Sequence, residues 1–335
     1  MKTIFKFRLD FQIFQPLKTK IWIKTLNPQN IIANLDLKVL LTGASGFIGS
    51  RLAKSLSKEG HDVTALIHEN KLDDTSIKNI NGDITDDELS FPNEIYDVVY
   101  HLAAVTPLEK NKKVLKEVNY DGTVNFFEKI KNKTKFFIYI SGLGVFGDPG
   151  EDIIDESAPL KPHTDYAKIR LDAQKYLESH CKENSVPFAV AYLGEVYGNG
   201  GWFSSIILDK LQNGKFRLPG GGEYYRNYVH VDDAVDALIA IGKRDAFDES
   251  FIVTDSEPAL FKDFIYYICD LMELKRPGKV PVMLAKAVLG GDAVKLLTTS
   301  MKISNKKILE ISPFNYPNYK KGLDNVISEI KFLQR

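Results

Sequence analysis

From Lys38 onward, short apolar runs alternate with longer stretches of helical period. The runs are KVLLTG at 38–43, DVTALIH at 62–68, DVVYHLAA at 97–104, KFFIYIS at 135–141, PFAVAYLG at 187–194 and FIVTD at 251–255. Helical patterns separate them, notably near 47–59 and 111–132. A strand that is apolar along its whole length has no face left for water. Such strands, spaced by helices, demand a parallel sheet covered on both sides. The expected fold is therefore α/β, a doubly wound parallel sheet, and the tail from about 257 looks like a smaller lobe. The expected divisions are an extension at 1–37, a sheet-forming domain at 38–190, and a lobe at 191–335 from which some segments return to the sheet.

The first strand runs straight into Thr42-Gly43-Ala44-Ser45-Gly46-Phe47-Ile48-Gly49. Three glycines three apart, between a strand and a helix, suit a dinucleotide. Gly43 permits the tight turn, and Gly46 lets a pyrophosphate approach the helix N-terminus. Gly49 lets the helix lie close on the strand.

Other features narrow the class. The 335 residues can bury a large core. Lys plus Arg number 44 and Asp plus Glu 44, a balance that speaks against a nucleic-acid binder. Cys181 and Cys269 lie far apart. They suggest neither a disulfide framework nor a metal cluster, and they fit a cytoplasmic protein. No apolar run reaches the roughly 18 residues of an integral membrane segment. The first 30 residues, rich in Lys, Phe and Ile, hold one acid, Asp10. Residues 1–37 are expected to be a poorly ordered extension, with a membrane-surface segment as the alternative.

TGASGFIG, GDITD at 82–86, HLAA at 101–104, NYDGTVN at 119–125, the Ser141-Gly142 strand end, Tyr166 and RNYVHVDD at 226–233 follow one another in order. In this the chain resembles the extended short-chain dehydrogenase/reductase family, in its NAD-dependent epimerase/dehydratase branch, from about Lys38 to the C-terminal end. The resemblance implies a Rossmann-type NAD(P)-binding domain at 38–190 with a smaller C-terminal substrate lobe at 191–335, an oxidoreductase, epimerase or dehydratase acting on a hydroxyl or carbonyl substrate, a nucleotide-sugar among the candidates, and often a homodimer. It implies cofactor contacts from Gly43, Ser45, Gly46, Phe47, Ile48, Gly49, Asp83, Ile84, Leu102, Ala103 and Ala104, with Asp83 toward the adenine amino group.

The second strand ends Leu66-Ile67-His68-Glu69-Asn70-Lys71. Ile67 stands where an NAD enzyme carries the acid that binds the ribose 2′-hydroxyl. His68 and Lys71 are suited to a 2′-phosphate, so NADP is favoured over NAD. Glu69 keeps the second option open.

Two catalytic positions depart from the family's Tyr-x-x-x-Lys plus Ser or Thr. Tyr166 is present as the proton-transfer residue, but Arg170 stands in the lysine position. Lys168 points to another side of the helix. Arg170 retains a positive charge that favours tyrosinate and can donate to the nicotinamide ribose, which it would contact together with Tyr166. The hydroxyl position falls at Gly142, one residue past Ser141, and Ser141 can substitute only if the strand has turned there. The function expected is an NAD(P)-dependent enzyme using Tyr166, Arg170 and Ser141. The alternative is a cofactor-binding sensor or assembly protein that has lost hydride transfer.

On the substrate side, Arg226 matches the arginine that contacts the diphosphate in nucleotide-sugar members. Tyr197 follows the sixth strand, where the substrate lobe begins. Trp202, Phe203, Tyr224, Tyr225 and Tyr228 either stack on substrate or pack the lobe. Asp232 is a candidate cap of the helix that follows.

Overall fold

A computed structural model describes residues 36–243 and 248–333. The expectation for the N-terminal extension therefore lies almost wholly outside the described residues. The first five strands of the main sheet are β1 (Lys38–Thr42), β2 (Asp62–Ile67), β3 (Lys78–Asn81), β4 (Val98–His101) and β5 (Phe137–Gly142). β6 (Phe188–Leu193) extends the sheet. Helices α1 (Gly49–Lys58), α2 (Lys112–Lys116), α3 (Thr123–Ile130) and α4 (Asp165–Glu183) lie between these strands in sequence. A short strand β7 (Glu195–Tyr197) pairs with β8 (Tyr228–His230). Next come α5 (Val231–Gly242) and the seventh sheet strand, β9 (Glu249–Val253). The last helices used below are α6 (Phe261–Leu271), α7 (Val282–Leu289), α8 (Gly291–Thr298) and α9 (Tyr319–Leu333).

The sheet order is β9-β6-β5-β4-β1-β2-β3, and every pairing in it is parallel. This is a Rossmann-type doubly wound sheet. Its order reverses between β1 and β4, the switch point at whose strand carboxyl ends sheets of this kind have their binding crevice.

Side chains alternate across the sheet into two cores. Val39, Leu41, Ile138, Ile140, Ala189 and Ala191 pack on one face with Leu52 and Leu56 of α1 and Val235 and Leu238 of α5. Leu40, Phe137, Tyr139, Val190 and Tyr192 pack on the other with Phe126 and Phe127 of α3 and Leu171 and Leu177 of α4. Both faces are dry, which explains the unbroken apolar strands. A third core, made only from Tyr197 onward, joins Phe203, Tyr228 and Phe264 to Leu323 and Val326 of α9.

Two local expectations need correction. The helix near 111–132 is broken: a π-helical turn, Glu117–Gly122, separates α2 from α3. The cap of α5 is His230, whose side chain accepts the Asp232 N–H at 3.2 Å, and not Asp232. Asp233 instead accepts the N–H groups of Asn315 and Tyr316, each at 2.8 Å.

Candidate functional site

The three glycines have separate duties. Gly43 has φ +65°, and an added Cβ would stand 2.8 Å from the Ala103 nitrogen; one on Gly49 would strike the Gly43 carbonyl. Both positions are closed by the fold itself. Gly46 is exposed, and a Cβ there would meet only the Gly43 oxygen, at 3.2 Å. The first turn of α1 has no side-chain cap and no acid. An α1 N-terminus without a competing carboxylate, behind an open glycine, fits a pyrophosphate. Ser45 is exposed beside Gly46, while Phe47 and Ile48 are half-buried. The glycines of the 198–201 loop pack on the Phe47 ring, and Arg51 lies 4.5 Å over its centre. Arg51 also donates to the Phe47 carbonyl at 2.9 Å and to that of Asn199 at 2.5 Å, so the later loop is fixed against the glycine turn.

Leu102, Ala103 and Ala104 leave the end of β4 across the crevice, half-buried to exposed. Behind them lies a fully buried polar chain. The Ala103 N–H donates to Thr42 Oγ1 at 3.1 Å, and Thr42 Oγ1 lies 2.8 Å from His101 Nδ1. His101 Nε2 lies 2.9 Å from Thr123 Oγ1, which donates to the Asn119 carbonyl at 3.0 Å. The order of donors makes Nε2 the protonated nitrogen and leaves Nδ1 to accept from Thr42. Burial, and secondarily the charge of Arg170, lowers the His101 pKa to about 3. Asn119, in the π-helical turn, grips both backbone groups of Val105 at 3.0 and 3.1 Å. No spacing in the sequence marks this clamp on the loop after β4, because its two halves meet only in the fold.

Tyr166 lies in the first turn of α4, half-buried. Thr164 caps that turn through the Ala167 N–H, and the Tyr166 N–H donates to Asp292 of α8 at 3.1 Å. Leu296 of α8 is the nearest atom an added side chain at Gly144 would meet. One turn beyond Tyr166, Arg170 is buried. Its guanidinium lies 4.6 Å from the centre of the Tyr139 ring and donates to the Ile140 carbonyl; Nη1 is buried without a partner. Lys168 points to solvent. Burial pushes the Tyr139 hydroxyl up to about 12, against the opposing charge of Arg170.

β5 continues through Gly142, so the strand has not turned at Ser141. By alternation Ser141 shares the face of Phe137 and Tyr139, which is the face α4 covers. Its Oγ is buried and has no partner. At Gly142 an added Cβ meets only the Leu193 oxygen, at 4.0 Å, so that position has room for a side chain.

At the adenosine end, Ile67 is buried in the core. His68 is exposed, and its Nε2 lies 3.2 Å from Asp83 Oδ2. Two expected cofactor contacts thus engage each other. Asp83 also accepts the Thr85 N–H at 2.8 Å. Ile84 turns its side chain into the core.

On the substrate side, Arg226 is mostly buried. It pairs with Glu195 and donates to the Leu296 carbonyl at 2.7 Å. The reading of Tyr197 as a substrate contact is corrected: it has no exposed surface. Its ring is enclosed by Phe203, Tyr228, His230 and Phe264, and burial raises its pKa. Phe203, Tyr224 and Tyr228 likewise pack the third core, and Trp202 donates to the Val196 carbonyl. Among the described residues, no three His, Cys, Asp or Glu side chains are grouped to hold a metal, and no helix is long and apolar enough to cross a membrane.

Comparison with known proteins places this geometry. A dTDP-D-glucose 4,6-dehydratase of Dictyostelium discoideum is 32% identical over 236 residues, 60% of this chain; the chain spans only about half of that relative, 54% of its length. The DesIV dTDP-glucose 4,6-dehydratase of Streptomyces venezuelae, solved with NAD and TYD, superposes with a TM-score of 0.77 at 18% identity, covering 88% of this chain and 97% of that one. A human epimerase family protein solved with NADPH gives 0.73 at 17%, covering 87% and 99%. At these identities the two structures show the fold alone. The sequence profile of the NAD dependent epimerase/dehydratase family matches residues 39–253, more than half of the chain, and the chain belongs to that family.

Proposed function

We propose that this chain is an NAD(P)-dependent epimerase, dehydratase or oxidoreductase working at a hydroxyl or carbonyl carbon, with a nucleotide-sugar as substrate. The observation that carries the reading is a juxtaposition at the carboxyl ends of the strands. The uncapped N-terminus of α1 behind Gly46 and the first turn of α4 with Tyr166 both border this edge of the sheet. The names of the dTDP-glucose relatives support the substrate class.

A nicotinamide dinucleotide bound there supplies hydride acceptance and return. The chain's own part is to hold the reactants and move the proton. Tyr166 Oη takes the proton from a substrate hydroxyl or returns it to a carbonyl oxygen. The Arg170 cation stands one turn further along α4. Arg170 Nη1, buried without a partner, is the donor left to meet the cofactor or the reacting oxygen; Ser141 lies on a strand that has not turned and does not take the hydroxyl role. NADP is the preferred form, because Ile67 replaces the usual acid and His68 with Lys71 follows. The two buried, unpaired thiols, Cys181 and Cys269, support a cytoplasmic setting.

A second reading, a cofactor binder without turnover, draws on one feature: Arg170 donates inward to the Ile140 carbonyl. Fluorescence titration tests the cofactor site. NADPH should bind the wild type more tightly than NADH, and Gly46→Val should remain folded and bind neither. Undiminished binding by folded Gly46→Val would remove the dinucleotide from this turn.

A further inference from the structure

Arg226 holds its partners unevenly. Nη1 donates to the carbonyl of Leu296 at 2.7 Å and reaches that of Thr299 at 3.5 Å, both near the C-terminal end of α8. These contacts fix the guanidinium without help from any carboxylate. The other edge of the fork is only half used. Nη2 meets a single oxygen of Glu195, and the adjacent Nε is buried with no partner. A guanidinium edge of this kind matches two oxygens of one phosphate, whereas Glu195 fills only half of it. Glu195 is the more exposed member of the pair, its side chain 28% accessible against 14% for Arg226.

Resting on the nucleotide-sugar reading above, we propose that Glu195 is a specificity-determining residue: an internal anion that occupies Arg226 and must yield it to the substrate diphosphate. Binding is then an exchange of anions. The carboxylate swings toward solvent, the diphosphate takes the Nη2–Nε edge, and the Leu296 carbonyl keeps the cation in place. Repulsion between the displaced carboxylate and the incoming diphosphate weakens binding. A ligand must supply two well-placed phosphate oxygens to win the exchange, so monoanionic or uncharged compounds gain nothing from Arg226.

The test is calorimetric titration of UDP-glucose and dTDP-glucose into NAD-saturated protein. Glu195→Gln should bind both about 10-fold more tightly than the wild type, since a like charge beside the diphosphate is gone. NAD affinity should not change. Adding Arg226→Met should abolish the gain. Glu195→Asn serves the same purpose if the glutamine variant folds poorly. Equal or weaker nucleotide-sugar binding by the Glu195 variants, in a wild type that does bind these compounds, would overturn the role of Glu195 and leave the substrate class standing. If wild type and variants bind NAD but neither nucleotide-sugar, the substrate class fails and the exchange with it.

Discussion

Arg170 is the residue on which catalysis and its loss divide. It keeps the cation in register with Tyr166, but it is wider than a lysine and spends one nitrogen on the Ile140 carbonyl. A guanidinium cannot pass on a proton at working pH, so it can act only by charge and by donating hydrogen bonds. Arg170→Met should weaken cofactor binding, read by fluorescence titration of NADPH. Arg170→Lys should be tolerated or faster, and Gly142→Ser has room to join it, with only the Leu193 oxygen at 4.0 Å. A wild type that binds NADPH and never oxidises it, but gains turnover in the Gly142→Ser, Arg170→Lys double variant, would establish the binding-only reading.

The next scale is the joining of elements, where His101 has the largest role. Its ring links Thr42 at the end of β1 to Thr123 at the start of α3 while lying itself at the end of β4. Only the neutral ring completes that chain, because Nδ1 must accept. The unfolded chain takes up a proton near pH 6.5, whereas the folded ring resists until about 3. Between these values the unfolded state holds the extra proton, so falling pH removes stability. The loss is about 1.4 kcal/mol per pH unit for one such group. Urea midpoints should show the advantage of the wild type over His101→Gln shrinking as pH falls from about 6.5 toward 3. A constant difference over that range would mean the ring charges within the fold. The same network explains the break in the helix at 117–122. Asn119 is drawn to Val105, and no apolar spacing within the helix records a demand made by a distant loop.

At the scale of the whole molecule, the sheet was legible because its strands are buried on both faces, and the glycine turn because geometry forbids a side chain at Gly43 and Gly49. Contacts between distant segments were not legible. Asp292 reaches Tyr166 across 126 positions, and Glu195 meets Arg226 across 31, each pair joined only by folding. Tyr197 misled for a related reason: a tyrosine just after a strand reads as surface until a third core closes over it. These long-range contacts tie α8 to both Tyr166 and Arg226. Tyr166→Phe bears most directly on whether Tyr166 moves the proton in a cofactor-dependent reaction. NAD(P)H affinity is measured beside turnover of UDP-glucose and dTDP-glucose for wild type and Tyr166→Phe. Cofactor affinity should be unchanged and turnover lower by about 10²-fold or more, the scale of general acid–base catalysis. Equal turnover in the two proteins would mean that Tyr166 does not move the proton.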